Sequence, residues 1–140
     1  MFSSISKMFG VLTPLDPVAG WFIRLSWGAT FLYHGVTKFT GGIEGFGGAL
    51  EPTFGGLATP VAIVVAAAEV LAGIGAIVGG FKKDDFGDAV TRLAGLAAFP
   101  VMIGALILVR FPSDGGWRGM EFDVLLLAVA IYLMIKGKDL

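Results

Sequence analysis

The chain has 140 residues, of which 56% are hydrophobic and 15% charged, and its mean hydropathy is +0.85. Soluble domains carry about 45–50% apolar and about 25% charged residues, so this composition excludes an ordinary soluble globule and predicts a membrane protein. The formal net charge of -1 gives no basic field for nucleic acid, and the lack of cysteine excludes disulfides, thiolate zinc sites and cysteine-ligated iron–sulfur clusters.

Four apolar stretches are long enough to cross a membrane as helices. A span needs about 20 residues, because each residue adds about 1.5 Å to a helix and the hydrocarbon core is about 30 Å thick. The predicted spans cover residues 19–39, 59–81, 89–111 and 120–136. The sequence therefore predicts an all-α fold, a single integral membrane four-helix bundle over residues 1–140. Residues 1–17 lack the pattern of a removable signal peptide, so the first span is the expected insertion signal.

The first span carries three cationic or titratable side chains on one broad face, Arg24, His34 and Lys38. His34 and Lys38 are one helical turn apart, and His34 lies about 15 Å further along the helix than Arg24. His34 is the only histidine, which excludes bis-histidine haem and leaves little basis for a structural metal site. His34 and Lys38 either take part in binding and proton transfer or are interfacial groups paired with an acid.

The connection between the first two spans, residues 40–59, contains seven glycines together with two glutamates and two phenylalanines. This mixture is too apolar for a plain linker. Either the segment is a loop that re-enters the membrane and covers the outer mouth of the bundle, or it is a flexible Gly-rich surface loop. The other connections are predicted to be turns, a short polar one at residues 82–88 and an outer one at residues 111–118, where Trp117 suits the membrane interface.

Glu69 lies near the middle of the second span. Insertion of a charged side chain near the bilayer centre costs about 2.5–3.5 kcal/mol, so its presence there indicates either a partner of opposite charge or a function. Small residues share its narrow helix face, namely Ala62, Ala66, Gly73 and Gly80. Gly75 and Gly79 add the G-x-x-x-G spacing of tightly packed membrane helices. Glu69 either handles substrate or protons, or is a protonated acid or half of a buried ion pair that joins two helices.

The third span has an arginine near each end, Arg92 and Arg110. Their separation of eighteen residues equals five turns, so both lie on one face and reach opposite interfaces, where snorkelling to headgroups explains them without a function. Pro100, between them, removes one backbone donor and predicts a kink or a local cavity.

The fourth span opens with two acids, Glu121 and Asp123. Glu121 shares a face with Ala128 and Tyr132. An acid in the first turn of a helix is favoured by the helix dipole, which accounts for either residue without a function.

The distribution of basic residues predicts the orientation. Four spans place both termini on one side, and the loops of that side hold most of the lysines: Lys7, Lys82, Lys83, Lys136 and Lys138. The opposite side holds Arg118, with Lys38 and Arg110 at helix ends. We therefore expect both termini on the cytoplasmic side of the membrane. His34, Lys38, Arg110 and Glu121 then lie in the outer half, with Glu69 deeper, and are expected to form a polar cavity open outward.

The chain resembles the DoxX family of small four-helix membrane proteins. The resemblance covers most of the chain and rests on Arg24, residues 31–38, 45–46, 56–60, 68–69, 72–73 and 118–121. At the C terminus the chain departs from the family, because residues 136–140 replace its frequent Ser-Leu-Asp ending. Relatives include membrane subunits of thiosulfate:quinone oxidoreductases and of other membrane-associated oxidoreductase complexes, while many members have no assigned activity.

The resemblance and the side-chain chemistry together suggest a component of a redox system in the cytoplasmic, or inner, membrane, holding a quinone or a small anionic substrate. The expected catalytic residues are His34, Glu69 and Glu121, and the expected substrate-binding residues are Arg24, Lys38 and Arg110. Nothing in the chain stores electrons, so a bound quinone or another subunit must do so, and whether the chain is itself an enzyme stays open.

The expected partners are membrane lipid and either a second copy of the chain or other membrane or peripheral oxidoreductase subunits. Two alternative functions remain. Intramembrane Arg, His, Lys and Glu are also typical of a small proton-coupled permease, although four spans without an internal repeat leave little for alternating access. The other alternative is a non-catalytic scaffold whose Gly- and Ala-rich faces anchor other subunits.

Overall fold

The computed structural model of the chain describes residues 2–112 and 116–140. Its elements in chain order are α1 (Phe2–Phe9), a 3-10 segment (Gly10–Leu15), α2 (Asp16–Thr40), α3 (Ile43–Phe54), a 3-10 turn (Gly55–Leu57), α4 (Ala58–Phe81), α5 (Asp85–Gly104), a π-helical segment (Ala105–Arg110) and α6 (Gly116–Lys136). Those two stretches contain no strand, so the all-α prediction is confirmed. The four long helices coincide with the four apolar stretches, while residues 113–115 of the predicted outer turn lie outside the described residues.

The long helices pack in chain order, α2 against α4, α4 against α5 and α5 against α6. The first and last of them meet at Trp27, whose Nε1 donates to the carbonyl oxygen of Leu126 at 3.0 Å. Phe31 and Leu133 are fully buried in the same core. The four long helices therefore enclose one interior.

Small residues let the helices approach closely. The face of α4 that the sequence predicted is buried at Ala62, Ala66, Glu69 and Gly73. A Cβ added to Gly73 would lie 2.6 Å from the carbonyl oxygen of Gly28, so α2 and α4 cross where neither has a side chain. A Cβ added to Gly75 would lie 3.0 Å from that of Ala94, which confirms the tight helix contact predicted from the G-x-x-x-G spacing.

Large apolar side chains lie on the outside of the molecule. In α4 they include Ile63, Val64, Leu71, Ile74, Val78 and Phe81. The stretches Ile43–Phe81 and Asp85–Arg110 are long and apolar enough to cross a membrane, with hydropathies of 2.5 and 2.1. Only 39% and 22% of their most apolar windows are buried, whereas a soluble protein buries most of a core helix. These faces suit a hydrocarbon surrounding and indicate a membrane protein.

The other long helices, α2 and α6, do not meet the same criterion of length and apolarity within the described residues. The four-span topology therefore stays a prediction, supported by the packing of α2 and α6 against the two apolar helices.

The Gly-rich connection is a helix, α3, and not the non-helical loop that the sequence predicted. Partly or fully buried apolar side chains at helical spacing, Ile43, Phe46, Leu50 and Phe54, pack with the start of α4. Gly42 and Gly55, with φ of 107° and 51°, flank the helix where an L side chain would be strained. Gly41 and Gly56 adjoin these two positions, whereas Gly45, Gly47 and Gly48 lie within the helix itself. Tertiary packing therefore outweighs the low helix propensity of glycine.

The turn between α4 and α5 is shorter than predicted, since α4 ends at Phe81 and α5 begins at Asp85. Asp84 is the N-cap of α5, and its Oδ1 accepts a hydrogen bond from the amide of Gly87 at 3.0 Å.

Candidate functional site

The first component of the site is a buried ion pair between α2 and α4. The Lys38 ammonium lies 2.7 and 2.6 Å from the two carboxylate oxygens of Glu69, whose side chain is only 5% exposed. Gly35, one turn before Lys38, allows this reach, because a Cβ there would lie 2.8 Å from the carbonyl oxygen of Ala66. The pair is the buried ion pair that the sequence offered as the structural explanation of Glu69.

The short helix α3 covers this ion pair from one side. The ring centroid of Phe46 lies 5.0 Å from the Lys38 Nζ, within the range of a cation–π interaction. The side chain of Lys38 is 19% exposed as a result of its contacts with α3 and α4. The segment predicted to cover the outer mouth of the bundle therefore does contact a predicted site residue, although as a helix.

The second component is an ion pair between the end of the third long helix and α6. After Gly104 the backbone continues as a π-helical segment, in which the Phe111 amide donates to the Leu106 carbonyl oxygen at 2.8 Å. Such a segment inserts a residue into the helix and re-aims the side chains that follow. The Arg110 Nε lies 2.6 Å from the Asp123 Oδ2, and the Asp123 side chain is 10% exposed. α5 stays helical through Pro100, and the backbone irregularity begins at Ala105. The local cavity that the sequence offered as the alternative at Pro100 is present, and Pro100 lines it.

The two ion pairs line one polar cavity of about 170 Å³. Its walls are Phe31, His34, Lys38, Glu69, Met102, Ala105, Val109, Arg110, Asp123 and Leu126. His34 is exposed, and its ring makes an edge-to-face contact with Tyr33. The structure therefore brings together four predicted site residues that come from three different helices.

A second cavity of about 220 Å³ adjoins the first, beneath α3. Apart from Lys38 and Glu69 its walls are apolar or small: Phe46, Leu50, Phe54, Val61, Val65, Pro100, Val101, Met102, Gly104, Ala105, Leu108 and Val109. The two cavities share the Lys38–Glu69 ion pair, together with Met102, Ala105 and Val109. The charged lining of the polar cavity therefore adjoins the apolar lining of the second cavity at the Lys38–Glu69 ion pair.

Glu121 does not reach the polar cavity. It is exposed, as are Ala128 and Tyr132 on the same face of α6. The inward face carries Asp123, and three, seven and ten residues after it come buried Leu126, Ala130 and Leu133. Asp123 is therefore the acid that α6 contributes, and the sequence did not separate it from Glu121 because α6 is apolar on both faces.

Arg24 also lies away from the cavity, towards the end of the bundle that contains the C-terminal residues. It is buried and donates to the Ala76 carbonyl oxygen at 2.9 Å, the Thr91 Oγ1 at 2.8 Å and the Gly137 carbonyl oxygen at 3.0 Å. These bonds tie α2 to α4, to α5 and to the residue after α6. Its observed contacts are thus those of a residue that joins helices.

Arg92 has a comparable position on α5. It pairs with Asp88 at 2.7 Å and donates to the carbonyl oxygens of Met134 and Ile135 at 2.6 and 2.8 Å. Since Arg110 contacts the start of α6 and Arg92 its last turn, the predicted common face is confirmed. Capping of helix carbonyls and ion pairing, rather than snorkelling alone, account for Arg92.

The chemical capacity of the polar cavity follows from its residues. Lys38 and Arg110 can donate charge-assisted hydrogen bonds to a ligand oxygen, and His34, Glu69 and Asp123 can accept or give protons. No group of three or more His, Asp or Glu residues in the described ranges could hold a metal ion. The arrangement suits a small ligand that bears oxygen atoms.

Comparison with known proteins gives one result. A family model described as DoxX matches residues 19–110, which is more than half of the chain. The matched region includes Lys38, Glu69 and Arg110, whereas α6 with Asp123 lies beyond it. No curated protein and no solved structure matches the chain.

Proposed function

Because the chain belongs to the DoxX family, generally membrane proteins associated with oxidoreductase-type systems, we propose that it is a membrane component of such a system and holds a quinone or small anion in its polar cavity. The observation that carries the proposal is the meeting of His34, Lys38, Glu69, Arg110 and Asp123 around one cavity between otherwise apolar helices.

The size and donors of the cavity fit such ligands. An engineered apolar cavity of about 150 Å³ binds benzene. The polar cavity, about 170 Å³, therefore has room for one substituted ring or a small oxyanion. Lys38 and Arg110 supply donors from two sides, and the low dielectric of the surroundings strengthens hydrogen bonds to a ligand carbonyl or anionic oxygen. A quinone, when bound, accepts electrons and protons.

The protein's own residues then handle charge and protons. The two carboxylates neutralise Lys38 and Arg110 while the cavity holds no ligand, which avoids leaving a cation unpaired in apolar surroundings. His34, which is exposed and lines the cavity, is the proposed group for proton transfer between the cavity and its surroundings. Because the chain has no cysteine and one histidine, a bound quinone or another subunit holds the electrons in this proposal.

The proposed location is the inner membrane, with both termini in the cytoplasm and the polar cavity open to the outer side. The excess of lysine near the termini and in the turn between α4 and α5 supports this orientation.

The test is a binding measurement with the purified protein in lipid nanodiscs, using a water-soluble benzoquinone without a tail and, separately, thiosulfate. Lys38→Met and Arg110→Gln each remove one cationic donor and should weaken binding of the preferred ligand about 10- to 100-fold, the range for a hydrogen bond to a charged group. Arg92→Gln is the matched control, because Arg92 is also an ion-paired arginine of α5 that contacts α6.

Equal affinity in all four proteins, or no binding of either ligand, would contradict the proposal. If neither ligand binds and the variants also support full activity of the native membrane system, the polar residues act only in holding the helices, as in the scaffold alternative. A proton flux into liposomes that depends on His34 would favour the permease instead.

A further inference from the structure

Binding of a quinone ring or a small anion in the polar cavity, as proposed above, leaves the apolar cavity beneath α3 without a role. It holds about 220 Å³, more than the polar cavity, and its chemistry differs, because Lys38 and Glu69 are the charged residues of its wall. Phe46, Leu50 and Phe54 of α3 form the roof. A cavity with such walls is suited to hydrocarbon and not to water, which needs several polar partners.

The cavity results from the residues of α5 and is not closed towards the lipid-facing surface. A Cβ added to Gly104 would meet no atom within 4 Å, so the missing side chain leaves open space. Pro100, one turn earlier, and Leu108, one turn later, line the same cavity and are themselves exposed on the apolar outside of the protein. Hydrocarbon in the membrane therefore has a lateral path into it.

We propose that the two cavities form one binding site for a single-chain amphiphile, whose oxygen-bearing head lies in the polar cavity and whose hydrocarbon tail lies beneath α3. This inference rests on the proposed function for the head and narrows its ligand to a molecule with a tail, rather than a free inorganic anion. The Lys38–Glu69 ion pair lies at the junction, where the polar head gives way to the tail. A quinone with an alkyl or prenyl tail and a fatty acid share this chemistry.

Photo-crosslinking tests where the tail lies. Two probes carry a diazirine at the end of an alkyl chain, one with a benzoquinone head and one with a carboxylate head. Each is photolysed with the protein in phosphatidylcholine nanodiscs, and labelled residues are mapped by mass spectrometry. The expected labels are on the cavity walls, at Leu50, Val61 and Val101. Labels confined to the lipid-facing residues Val64 and Leu71 would overturn the inference.

Two variants fill the cavity from different walls, Gly104→Leu on α5 and Val65→Phe on α4. Each should abolish labelling of the cavity walls by the tail. Gly48→Leu is the matched control, because Gly48 is also a helical glycine whose added Cβ would meet nothing within 4 Å, but it does not line the cavity. Labelling that persists in both filled variants would also overturn the inference.

Competition with an excess of tail-less benzoquinone separates this inference from the proposed function. If the tail-less quinone displaces the quinone probe while the tail labels only the outside, the head site stands and the tail site is wrong. If the carboxylate probe labels the cavity walls and neither quinone binds, the tail site stands and quinone is excluded as the ligand. Labelling of the walls by the quinone probe, lost on competition, supports both.

Discussion

Lys38 and Glu69 depend on each other, because both charges lie largely out of water and their groups are 2.6 Å apart. Removing one partner of a buried pair leaves the other without compensation, at a cost of about 3–5 kcal/mol, whereas replacing both with apolar residues is often neutral. The pair is therefore a structural link between α2 and α4, and its lysine is also the proposed donor to a ligand. The two roles predict different effects of substitution on stability and on ligand binding.

We expect Lys38→Met to destabilise the protein by about 3–5 kcal/mol, and the double variant Lys38→Met with Glu69→Leu to recover most of that loss. Unfolding of each protein in one detergent gives the comparison. Recovery of stability together with loss of quinone or anion binding would separate the two roles. A double variant as unstable as the single one would mean that an uncompensated Glu69 carboxylate is not what destabilises Lys38→Met.

Asp123 is a positioning residue in the proposed site, since its carboxylate holds the Arg110 guanidinium that is proposed to donate to the ligand. Asp123→Asn keeps an acceptor for the guanidinium but removes the charge that neutralises it. We therefore expect a neutral quinone to bind several-fold more weakly, because Arg110 is held less firmly, and an anion to bind with a larger dependence on salt concentration. Glu121→Gln, two residues earlier on the outward face, tests the sequence-based choice of acid. A larger effect at Glu121 than at Asp123 would mean that the inward face of α6 has been assigned wrongly.

The sequence was sufficient to select four of the cavity residues, because a charge within an apolar span needs a reason wherever the helix lies. It could not pair them, since Lys38 and Glu69 are separated by 31 positions and only packing brings them together. It also could not choose between Glu121 and Asp123. In a helix that is apolar on most sides, the hydrophobic pattern does not say which side faces the interior.

At the scale of elements, the boundaries of the long helices followed from hydropathy because lipid requires a minimum length of apolar helix. The structure of α3 did not, because glycine content and tertiary packing predict opposite outcomes for residues 43–54. Its apolar face at Phe46, Leu50 and Phe54 gains burial only when α4 is present beside it. The π-helical segment after Gly104 has no comparable sequence signal and was missed.

The start of α5 offers a pH-dependent test of an element. The hydrogen bond from the Gly87 amide lowers the pKa of Asp84 below its ordinary value. A carboxylate with a lowered pKa in the folded state stabilises the fold above its unfolded pKa, about 3.9, and this contribution is lost as the pH falls through the lower folded value. Asp84→Asn keeps a capping side chain but does not titrate.

We therefore expect the difference in Tm between the native protein and Asp84→Asn to change as the pH falls below about 4, in the direction that favours the asparagine variant. Thermal unfolding at neutral and acidic pH measures it, with Asp84→Ala showing how much the cap itself contributes at neutral pH. A difference in Tm that stays constant across this pH range would mean that Asp84 does not stabilise the fold through its charge.

At the scale of the whole molecule, the two ends of the bundle differ in kind. At one end, contacts link the start of α2, the turn before α5 and the C-terminal residues: Arg24 donates to the Gly137 carbonyl oxygen, Trp21 contacts Phe81, and Lys138 pairs with Asp85 at 3.5 Å. The other half contains the polar cavity, the apolar cavity and α3 above them. The lysine-rich end is thus the tightly tied one, and the cavities lie in the half that is proposed to face outward.

This arrangement predicts a specific pattern of accessibility, and the absence of native cysteine makes it directly measurable with single-cysteine variants. In intact cells a membrane-impermeant maleimide should label Glu44→Cys, at the start of α3. Lys7→Cys, Lys83→Cys and Asp139→Cys should react only after the membrane is permeabilised, because four spans return the chain to the cytoplasmic side. The opposite pattern at all four positions would reverse the orientation and place the polar cavity in the cytoplasmic half. Labelling of Lys7→Cys and Asp139→Cys from different sides would instead contradict the four spans themselves, because an even number of crossings cannot separate the termini.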